Sequence, residues 1–353
     1  MTKKELVDKF VTQNDVKKYI LGRTPFGKLA KSCLLEKGVE IEAYIDQYSS
    51  DEDFDDKPVI HSLGEVPENS IVLNGVVSAN PYSAKKSLDK AEVLYIDYFS
   101  LIKFGGLGLK IPFWEGFYES YENRKSEYEW LYNELADDQS RVVLNKLLDF
   151  RLNYNLEAMD GFVKNMKEQY FEPFLNLEES GESFCDIGGF DGNTTIEFIK
   201  RCPNYSKVYF FEPEPDILNQ AKNALSNYDR IEYYPYAISD KREILHFTSS
   251  DDSSMVSETG EIEVQAEKID NVVSSPVTFL KMDIEGSEAL AIEGAKQTIL
   301  KYHPRLAICV YHKGADFIDI PKQVFEIRSD YDLYMRHYTE GIIETVIFFM
   351  PKK

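Results

Sequence analysis

The amino-acid sequence predicts an α/β protein whose C-terminal part forms a doubly wound sheet closed by an antiparallel hairpin. Two observations carry this prediction. From residue 182 onward, short apolar runs alternate with longer segments of helical periodicity, which is typical of parallel strands joined by helices. Near the C-terminus, "YDLYMRHY" and "ETVIFFM" are separated by a Glu-Gly turn, as in a β-hairpin. We therefore expect ligands to bind beyond the carboxyl ends of the strands.

Composition and charge exclude several classes of protein. The chain has 353 residues and a formal net charge of −21, the wrong sign for attracting nucleic-acid phosphates. No apolar run reaches the roughly 18–20 residues of a membrane span, and "MTKKELVDKF" lacks the apolar centre of a secretory signal. The four cysteines show no CxxC spacing and are expected to be reduced. We predict a cytoplasmic protein without nucleic acid or membrane span, and leave homo-oligomer formation open.

The chain divides into three predicted regions, 1–105, 106–181 and 182–353. In the first, "YILGRTPFGKLAKSCLLEKGVEIEAYID" predicts a strand, a glycine turn from Gly22 to Gly27, a helix and a second strand. Asp46 ends that second strand, where the acid of a Rossmann unit meets a ribose hydroxyl. The turn lacks the third glycine of the dinucleotide fingerprint. The region is therefore predicted to be a small Rossmann-like α/β domain without a bound dinucleotide.

The second region is aromatic and helical in pattern. "SRVVLNKLLDFRLNYN" places Val143, Leu147, Phe150 and Tyr154 at helical spacing. No group of side chains typical of catalysis occurs in it, so the region is predicted to be a helical connector or part of a lid over the following domain.

The third region contains the alternating elements. Its predicted strands are 184–187, 208–211, 231–237, 277–282 and 306–311. Its predicted helices are 194–202, 216–228 and 287–302. The polar segment from Ser249 to Glu261 is predicted to be a loop.

The first of these strands leads into "FCDIGGFDGNTTIEFIKR", a turn that combines glycines with two acids. Gly188 and Gly192 let the backbone turn sharply and approach a ligand, and Asn193 or Thr194 is placed to cap the following helix. A dinucleotide loop carries no acids, because carboxylates such as Asp186 and Asp191 repel a pyrophosphate. The turn suits instead a ligand that carries an ammonium group or hydroxyls.

A further acid, Glu212, follows the second strand, where its carboxylate can accept both hydroxyls of a ribose. "YPYAISD", which contains Ala237, follows the third strand and is placed to line an adenine pocket. A nucleoside joined to an amino acid satisfies both preferences. These residues therefore predict a pocket for S-adenosylmethionine.

The fourth strand ends in "FLKMDIEGSEAL". Strand alternation puts Lys281 and Asp283 on one face and brings Asp283 and Glu285 to the end of the strand where ligands bind. Helix capping is the alternative explanation for the two acids, and a lysine that extends to solvent is the alternative for Lys281.

Together these motifs resemble the FkbM-type methyltransferases, a branch of the class I S-adenosylmethionine-dependent fold. The resemblance rests on "CDIGGFDGNTT", "FFEPEP", "YAISD", "LKMDIEGSE", the tail "VYHKGADFIDIP" to "ETVIFF", and "EQYFEP" and "LADDQSR" upstream. It implies a class I methyltransferase sheet and O-methylation of sugar or polyketide-type hydroxyls. It also implies that Glu212 takes the ribose and that the methionine end is lined by Asp186, Gly188, Asp191 and Gly192.

A sugar hydroxyl is a poor nucleophile at neutral pH, so a base or a metal ion must help. His312 ends the fifth strand and His337 lies near the closing hairpin, so both are candidate catalytic residues together with Asp283. One interpretation makes His312 a general base. Another makes Asp283, Glu285 and His312 ligands of Mg²⁺, Mn²⁺ or Fe²⁺. A third gives Asp283 a capping role and His312 a place in a hydrogen-bond network.

The predicted function is methyl transfer from S-adenosylmethionine to a hydroxyl of a sugar or nucleotide-linked sugar in surface-polysaccharide biosynthesis. Lys281, Lys313 and Arg336 are candidates to meet the phosphates of such an acceptor. The alternatives are O-methylation of a polyketide or another small-molecule hydroxyl, and a non-catalytic binding or scaffold protein that keeps the fold. The missing glycine in "GRTPFG" disfavours an additional dinucleotide-dependent enzyme.

Overall fold

The computed structural model describes residues 1–249, 254–256 and 262–352. The chain forms two compact units. Unit 1 comprises Met1–Tyr118, Leu144–Lys164 and Tyr338–Ile343. Unit 2 comprises Glu119–Val143, Asn165–His337 and Glu344–Lys353. Each helix of the described part is too short or too polar to cross a membrane.

Unit 1 is an α/β unit built on one sheet. Its strands are β1 (Lys17–Leu21), β2 (Ala43–Ile45), β3 (Asp53–Phe54), β4 (Lys57–Ile60), β5 (Ser70–Asn74) and β6 (Tyr95–Asp97). Its helices are α1 (Lys3–Thr12), α2 (Pro25–Glu36), α3 (Pro81–Lys90) and α4 (Tyr98–Phe104). The strand order is β3-β4-β2-β1-β5-β6, and only β3 and β4 pair antiparallel. The predicted Rossmann-like arrangement is confirmed, because β1 and β2 are parallel neighbours joined by α2.

Residues of the glycine turn in unit 1 make their contacts with other residues of the same unit. Gly22 has a φ of 93°, and a Cβ there would lie 2.9 Å from Cγ2 of Val76. Thr24 caps α2 by accepting a hydrogen bond from the backbone N–H of Gly27. The carboxylate of Asp46 accepts a hydrogen bond of 2.8 Å from Nε of Arg23. The acid expected at a ribose therefore pairs with an arginine of the same turn.

Unit 2 is the larger unit. Its strands are β7 (Ser183–Ile187), β8 (Lys207–Phe211), β9 (Ile231–Tyr234), β10 (Ala237–Ile238), β11 (Glu243–Ser249), β12 (Ser254–Val256), β13 (Ile262–Glu267), β14 (Phe279–Met282), β15 (Arg305–Cys309), β16 (Tyr331–His337) and β17 (Thr345–Pro351). The remaining helices are α5 (Phe117–Asn123), α6 (Lys125–Glu134), α7 (Asp138–Asn153), α8 (Asn193–Arg201), α9 (Pro215–Ala224), α10 (Ile269–Val272), α11 (Glu288–Gly294), α12 (Lys296–Tyr302) and α13 (Asp316–Ile327). Of these, α5 and α7 contain residues of both units.

The main sheet of unit 2 has seven strands in the order β16-β17-β15-β14-β7-β8-β9. The five strands from β15 to β9 are parallel. β17 pairs antiparallel with both β15 and β16, so the predicted C-terminal hairpin is confirmed. β7 and β14 are buried along their whole length, because helices cover both faces of a parallel sheet. The predicted doubly wound sheet is therefore present.

The predicted third strand is wrong at its C-terminal end. β9 stops at Tyr234, and Ala237 belongs to the two-residue strand β10. β10 pairs with β13 in a separate four-stranded sheet of order β10-β13-β11-β12. Sequence periodicity does not reveal this sheet, because β10 and β12 have only two and three residues. Most of the predicted loop from Ser249 to Glu261 lies outside the described residues.

The predicted helix 287–302 is divided into α11 and α12. The division occurs at Ala295, which ends α11 and precedes α12. The side chain of Asp270 accepts hydrogen bonds of 2.8 Å from the backbone N–H groups of Gln297 and Thr298. These bonds satisfy donors at the start of a new helix, which explains why the segment is not continuous.

Candidate active site

One cavity of about 920 Å³ lies at the carboxyl ends of the parallel strands of unit 2. Its wall includes residues that follow β7, β8, β14 and β15 and the residue that precedes β17. β7 and β14 are neighbours, and the next strands along the chain, β8 and β15, lie on their outer sides. Such a switch point is where open α/β sheets bind ligands.

The turn after β7 packs closely against the turn after β14. Gly188 has a φ of 76°, and a Cβ there would lie 2.0 Å from the backbone oxygen of Asp283. A Cβ at Gly189 would lie 2.3 Å from the ring of Phe210. Both glycines line the cavity. They are therefore required for close packing at the cavity wall, and Gly188 for its backbone conformation as well.

The start of α8 differs from the sequence-based expectation. Asp191, not Thr194, satisfies the first turn, since its Oδ1 accepts a hydrogen bond of 3.0 Å from the backbone N–H of Asn193. Gly192 is the N-cap residue, with a φ of 84°. Asp191 and Thr194 line the cavity, whereas Gly192 packs against Leu225 and does not line it.

Asp186 is fully buried behind the cavity wall. Its Oδ2 accepts a hydrogen bond of 2.8 Å from the Thr195 hydroxyl, and its Oδ1 lies 3.4 Å from Nζ of Lys281. Burial raises the pKa of Asp186, and the Lys281 ammonium opposes that shift. Lys281 lines the cavity, and its Nζ donates to the backbone oxygen of Gly188 at 2.5 Å. Asp186 therefore does not line the cavity itself. It holds Lys281 and the glycine turn, which do line it.

Glu212 lines the cavity with a carboxylate that two backbone groups hold in place. Its oxygens accept hydrogen bonds of 3.1 Å from the N–H of Phe190 and 2.9 Å from the N–H of Glu214. The residue is 5% exposed, and this burial raises the pKa of Glu212 to about 7. The carboxylate is thus oriented before any ligand binds, as recognition of a diol requires.

Ala237 also lines the cavity, although it does so from the small sheet. Tyr236, Ile238 and Leu245 line the cavity as well. The cavity therefore has an apolar wall, as was predicted for the adenine pocket. Residues of β10 and β11 contribute to this wall, whereas the sequence predicted a longer β9.

Asp283 lies at the end of β14 and is the most highly connected carboxylate of the wall. Its Oδ2 accepts a hydrogen bond of 2.8 Å from the Tyr170 hydroxyl, and its Oδ1 accepts one of 3.2 Å from the Tyr311 hydroxyl. Against the effect of burial, Lys281 and His312 lower the pKa of Asp283. All of these residues except His312 line the cavity. Asp283 is therefore an ionised acceptor at the cavity surface.

Glu344 precedes β17 and approaches Asp283 from the neighbouring edge of the sheet. Carboxylate oxygens of Asp283 and Glu344 and Sγ of Cys309 lie within 4.8 Å of one another. Gln169 donates a hydrogen bond to Glu344. Burial, followed by the charge of Asp283, raises the pKa of Glu344 to about 8. The pKa of Asp283 is therefore lowered, whereas the pKa of the neighbouring Glu344 is raised.

His312 lies beneath this surface and does not line the cavity. Its Nδ1 is 2.9 Å from Oε1 of Glu288, and its Nε2 is 3.6 Å from both Asp283 and Glu285. Burial alone would lower the pKa of His312, but Glu288 and the other acids raise it to about 9. At neutral pH the ring is an imidazolium, which cannot accept a proton. This geometry disfavours the general-base interpretation.

The same contacts bear on the metal hypothesis. Donor atoms of Asp283, Glu288 and His312 lie within 4.8 Å of one another, whereas the predicted set contained Glu285 in place of Glu288. Both nitrogens of His312 face carboxylates, an arrangement that a buried imidazolium and a metal centre share.

Three other predicted residues do not line the cavity. His337 is 7% exposed, and its Nδ1 is 2.9 Å from Oγ1 of Thr345 on the paired strand. Arg336 is buried, donates to Asp137 at 2.6 Å, and does not line the cavity. Lys313 does not line it either. The placement of Arg336 and Lys313 opposes the expectation that they meet substrate phosphates.

Strained backbone conformations occur in the wall of the cavity. Four non-glycine lining residues have a positive φ: Tyr170 (71°), Phe190 (48°), Glu285 (54°) and Glu344 (69°). Such conformations are costly and persist where the surrounding structure enforces them, which happens most often at functional sites.

Sequence reasoning missed four polar residues of this wall: Gln169, Tyr170, Tyr311 and Glu344. Each lies within a motif that carried the family resemblance, "EQYFEP", "VYHKGADF" or "ETVIFF". The motifs were therefore a usable signal. The motifs do not reveal the order of the strands in the sheet. That order brings residues that are far apart in the sequence to one edge of the sheet.

Comparison with known proteins finds a family whose model matches part of this chain. Residues 186–339 match a family described as the methyltransferase FkbM domain. The chain resembles the crystal structure of a methyltransferase FkbM from Methylobacillus flagellatus, with a TM-score of 0.76 and 23% identity. That match covers 98% of this chain and 92% of the other, and it shows a common fold across both units.

A curated relative is the 2-O-methyltransferase NoeI of Sinorhizobium fredii. It is 24% identical over 151 residues, an alignment that covers 35% of this chain. The alignment spans 62% of the length of that relative.

Proposed function

Residues 186–339 belong to the FkbM methyltransferase domain family, and from this premise we propose that the protein transfers a methyl group from S-adenosylmethionine to a hydroxyl of a sugar or nucleotide-linked sugar. The observation that carries the proposal is the cavity at the switch point, which joins Glu212 and the glycine turn on one side to Asp283 on the other. The first side suits a nucleoside attached to an amino acid, and the second suits a hydroxyl.

The residues of the turn fit the cofactor on physical grounds. Glu212 would accept hydrogen bonds from the ribose hydroxyls, because backbone N–H groups already orient its carboxylate. Asp191 would meet the ammonium group of the methionine end. The close approach at Gly188 leaves no room for a side chain between the ligand and β14. When bound, S-adenosylmethionine supplies an electrophilic methyl group.

The residues of the other side would prepare the acceptor. Asp283 would accept the hydrogen of the reacting hydroxyl, and the hydroxyls of Tyr170 and Tyr311 hold that carboxylate in position. Orientation of this kind accounts for a large part of catalysis in group transfer. Lys281 and the buried His312 imidazolium keep Asp283 ionised. Glu344 would be a second proton acceptor above its pKa of about 8.

Transfer to an oxygen is supported by the name of the curated relative, a 2-O-methyltransferase, and an acceptor with several hydroxyls by the polar wall around Asp283. A role in surface-polysaccharide biosynthesis follows from the acceptor and is part of the same proposal.

The proposal can be tested in two steps. Calorimetry should detect binding of S-adenosylhomocysteine to the full chain, and Glu212→Ala should weaken that binding by about tenfold or more, since two hydrogen bonds to a charged group are lost. Labelled S-adenosylmethionine should then transfer its methyl group to members of a sugar panel. Absence of S-adenosylhomocysteine binding would refute the cofactor, and absence of labelled sugar with intact binding would refute the acceptor.

A further inference from the structure

Phe190 combines a strained backbone with an exposed aromatic ring in the wall of the cavity. Its φ is 48°, a left-handed conformation that is costly for a bulky residue. The residue is 52% exposed and lines the cavity. Glycine would adopt this conformation at lower cost, and the same turn already has Gly188, Gly189 and Gly192. The presence of phenylalanine therefore has to be explained by its side chain.

The turn around Phe190 is held by contacts of its neighbours. The backbone N–H groups of Gly188 and Gly189 donate hydrogen bonds of 3.1 Å and 2.9 Å to the oxygen of Phe211. A Cβ at Gly189 would lie 2.3 Å from the ring of Phe210, so the turn packs directly on the sheet. These contacts fix the backbone at position 190 whatever side chain it carries. The ring is therefore not needed to shape the turn.

The backbone of Phe190 lies beside the acid that is proposed to take the ribose. Its N–H donates a hydrogen bond of 3.1 Å to Oε2 of Glu212. Both residues line the cavity. A ligand whose ribose hydroxyls are bound by Glu212 would therefore have its nucleoside within reach of the Phe190 ring.

We infer that Phe190 is a cofactor-binding residue whose ring packs against the nucleoside of S-adenosylmethionine. This inference rests on the proposed function and adds a residue to it. A base and a ribose present flat apolar surfaces, which suit an aromatic ring, while their hydroxyls suit the neighbouring carboxylate of Glu212. A bound nucleoside would cover the exposed ring and offset the cost of its backbone conformation, as is common at strained functional positions.

The experiment measures the binding of two ligands to the full chain by calorimetry. One is S-adenosylhomocysteine, and the other is 5′-methylthioadenosine, which keeps the nucleoside and lacks the amino-acid end. Phe190→Asn removes the ring, and asparagine tolerates a positive φ. The affinity for both ligands should fall by about tenfold, which corresponds to about 1.4 kcal/mol, because both share the nucleoside.

Two results of this experiment would overturn the inference. The first is an unchanged affinity of Phe190→Asn for both ligands. The second is a loss for S-adenosylhomocysteine alone, which would place the ring at the amino-acid end. Wild type that binds S-adenosylhomocysteine but not 5′-methylthioadenosine up to the millimolar range would overturn it too, because the nucleoside would then contribute little.

Two further variants distinguish contact with the ring from a structural role. Phe190→Tyr keeps a flat ring and should recover most of the affinity that Phe190→Asn loses. Phe190→Leu keeps apolar bulk without the ring and should bind both ligands several-fold more weakly than Phe190→Tyr. Urea unfolding checks that each variant is folded. Should Phe190→Asn fail to fold, equal affinities of the tyrosine and leucine variants would contradict the inference.

The matched control is Glu92→Asn. Glu92 is exposed, has a similar φ of 55° and does not line the cavity. The substitution relieves the same backbone conformation elsewhere and should leave both affinities within about twofold of wild type. If it weakened binding as much as Phe190→Asn does, the loss could not be assigned to the ring, and the inference would fail.

The remaining outcomes separate the inference from the proposed function. If wild type binds neither ligand, the cofactor of the proposed function fails and the inference falls with it. If both ligands bind as expected but no sugar is labelled, the sugar acceptor fails and the inference stands. If Phe190→Asn binds both ligands like wild type and raises only the KM of the acceptor, the inference is overturned and the proposed function is intact.

Discussion

At the residue scale, the acids of this protein divide into those that face the cavity and those that support it. Glu212 and Asp283 face the cavity and have fixed hydrogen-bond partners. Asp186 is buried behind Lys281, although it belongs to the same glycine motif. Residue type and spacing predicted where these acids gather, and their distance from a ligand depends on side-chain packing.

Glu212 should make cofactor binding pH-dependent. Its pKa is about 7 in the folded protein, and hydroxyl groups of a ribose favour the ionised carboxylate. Affinity for S-adenosylhomocysteine should therefore rise between about pH 6 and pH 8. Calorimetry at several pH values measures this, and Glu212→Gln should flatten the profile.

The matched control for that experiment is Glu232→Gln on β9, whose carboxylate pairs with Lys207 outside the cavity. It should keep the wild-type profile. Folding stability should change with pH in the opposite direction. The pKa of Glu212 in the folded protein lies above its usual value of 4.5, so the contribution of Glu212 to stability is fully present below pH 4.5. This contribution is lost as the pH rises through about 7.

Asp186 should be needed for folding stability. Asp186→Asn removes the partner of a fully buried lysine, and breaking a buried ion pair from one side costs about 3–5 kcal/mol. Urea unfolding measures the loss. Thr195→Val removes only the hydroxyl that donates a hydrogen bond to the Asp186 carboxylate, keeps the ion pair, and should cost about 1.5–3 kcal/mol. Equal stability of Asp186→Asn and wild type would contradict the assigned contact.

At the element scale, the site depends on two turns that touch. The turn after β7 and the turn after β14 approach so closely that Gly188 has no room for a Cβ. Parallel pairing of β7 with β14 sets this approach, since Asp186 is in register with Lys281 and Ile187 with Met282. The pairing of the two strands thus explains why position 188 is a glycine.

Gly188→Ala should disrupt the cavity. Its Cβ would lie 2.0 Å from the Asp283 oxygen, so the two turns must separate and S-adenosylhomocysteine binding should be lost. Gly181→Ala is the control, because Gly181 has a similar φ of 85° and no atom within 4 Å of the added Cβ. The control should lose about 1–2 kcal/mol of stability, measured by urea unfolding, and keep its binding. Equal behaviour of the two variants would rule out the close approach as the cause.

The cluster formed by the ends of β14 and β15 and by α11 should work without a metal. His312 occupies the space between Asp283, Glu285 and Glu288 as a cation. Dialysis against a chelator should leave S-adenosylhomocysteine binding and methyl transfer unchanged within about twofold. Recovery of lost transfer by Mg²⁺, Mn²⁺ or Fe²⁺ would establish the metal hypothesis instead.

At the scale of the whole molecule, the net charge of −21 limits the partners of this protein. The cavity adds to that limit, since acidic residues outnumber lysines in its lining. A polyanion would have to approach an anionic surface and then an anionic cavity.

The protein should therefore not bind duplex RNA or DNA. Fluorescence anisotropy at low salt should show no binding at micromolar concentrations, because no counterions would be released from phosphates by an acidic surface. Binding that weakens steeply with added salt would contradict this prediction. Binding of S-adenosylhomocysteine by the same sample is the control for folded protein.

Local features of the sequence were enough to predict a large part of this architecture. Alternating strands and helices, the hairpin at "YDLYMRHY" and "ETVIFFM", and the glycine turns all depend on residues close together in the chain, so periodicity and turn chemistry reveal them. The acids at the ends of β7, β8 and β14 could be grouped for the same reason, because parallel strands end at one edge.

Tertiary structure alone decided which side chains reach the cavity and in which charge state. Glu344 joins Asp283 only because β17 inserts beside β15, and His312 becomes a cation only because α11 brings Glu288 to it. The small sheet that carries Ala237 required pairing of β10 with β13, which are far apart in the chain. Burial and contact between distant segments set these properties, and neither is encoded in local spacing.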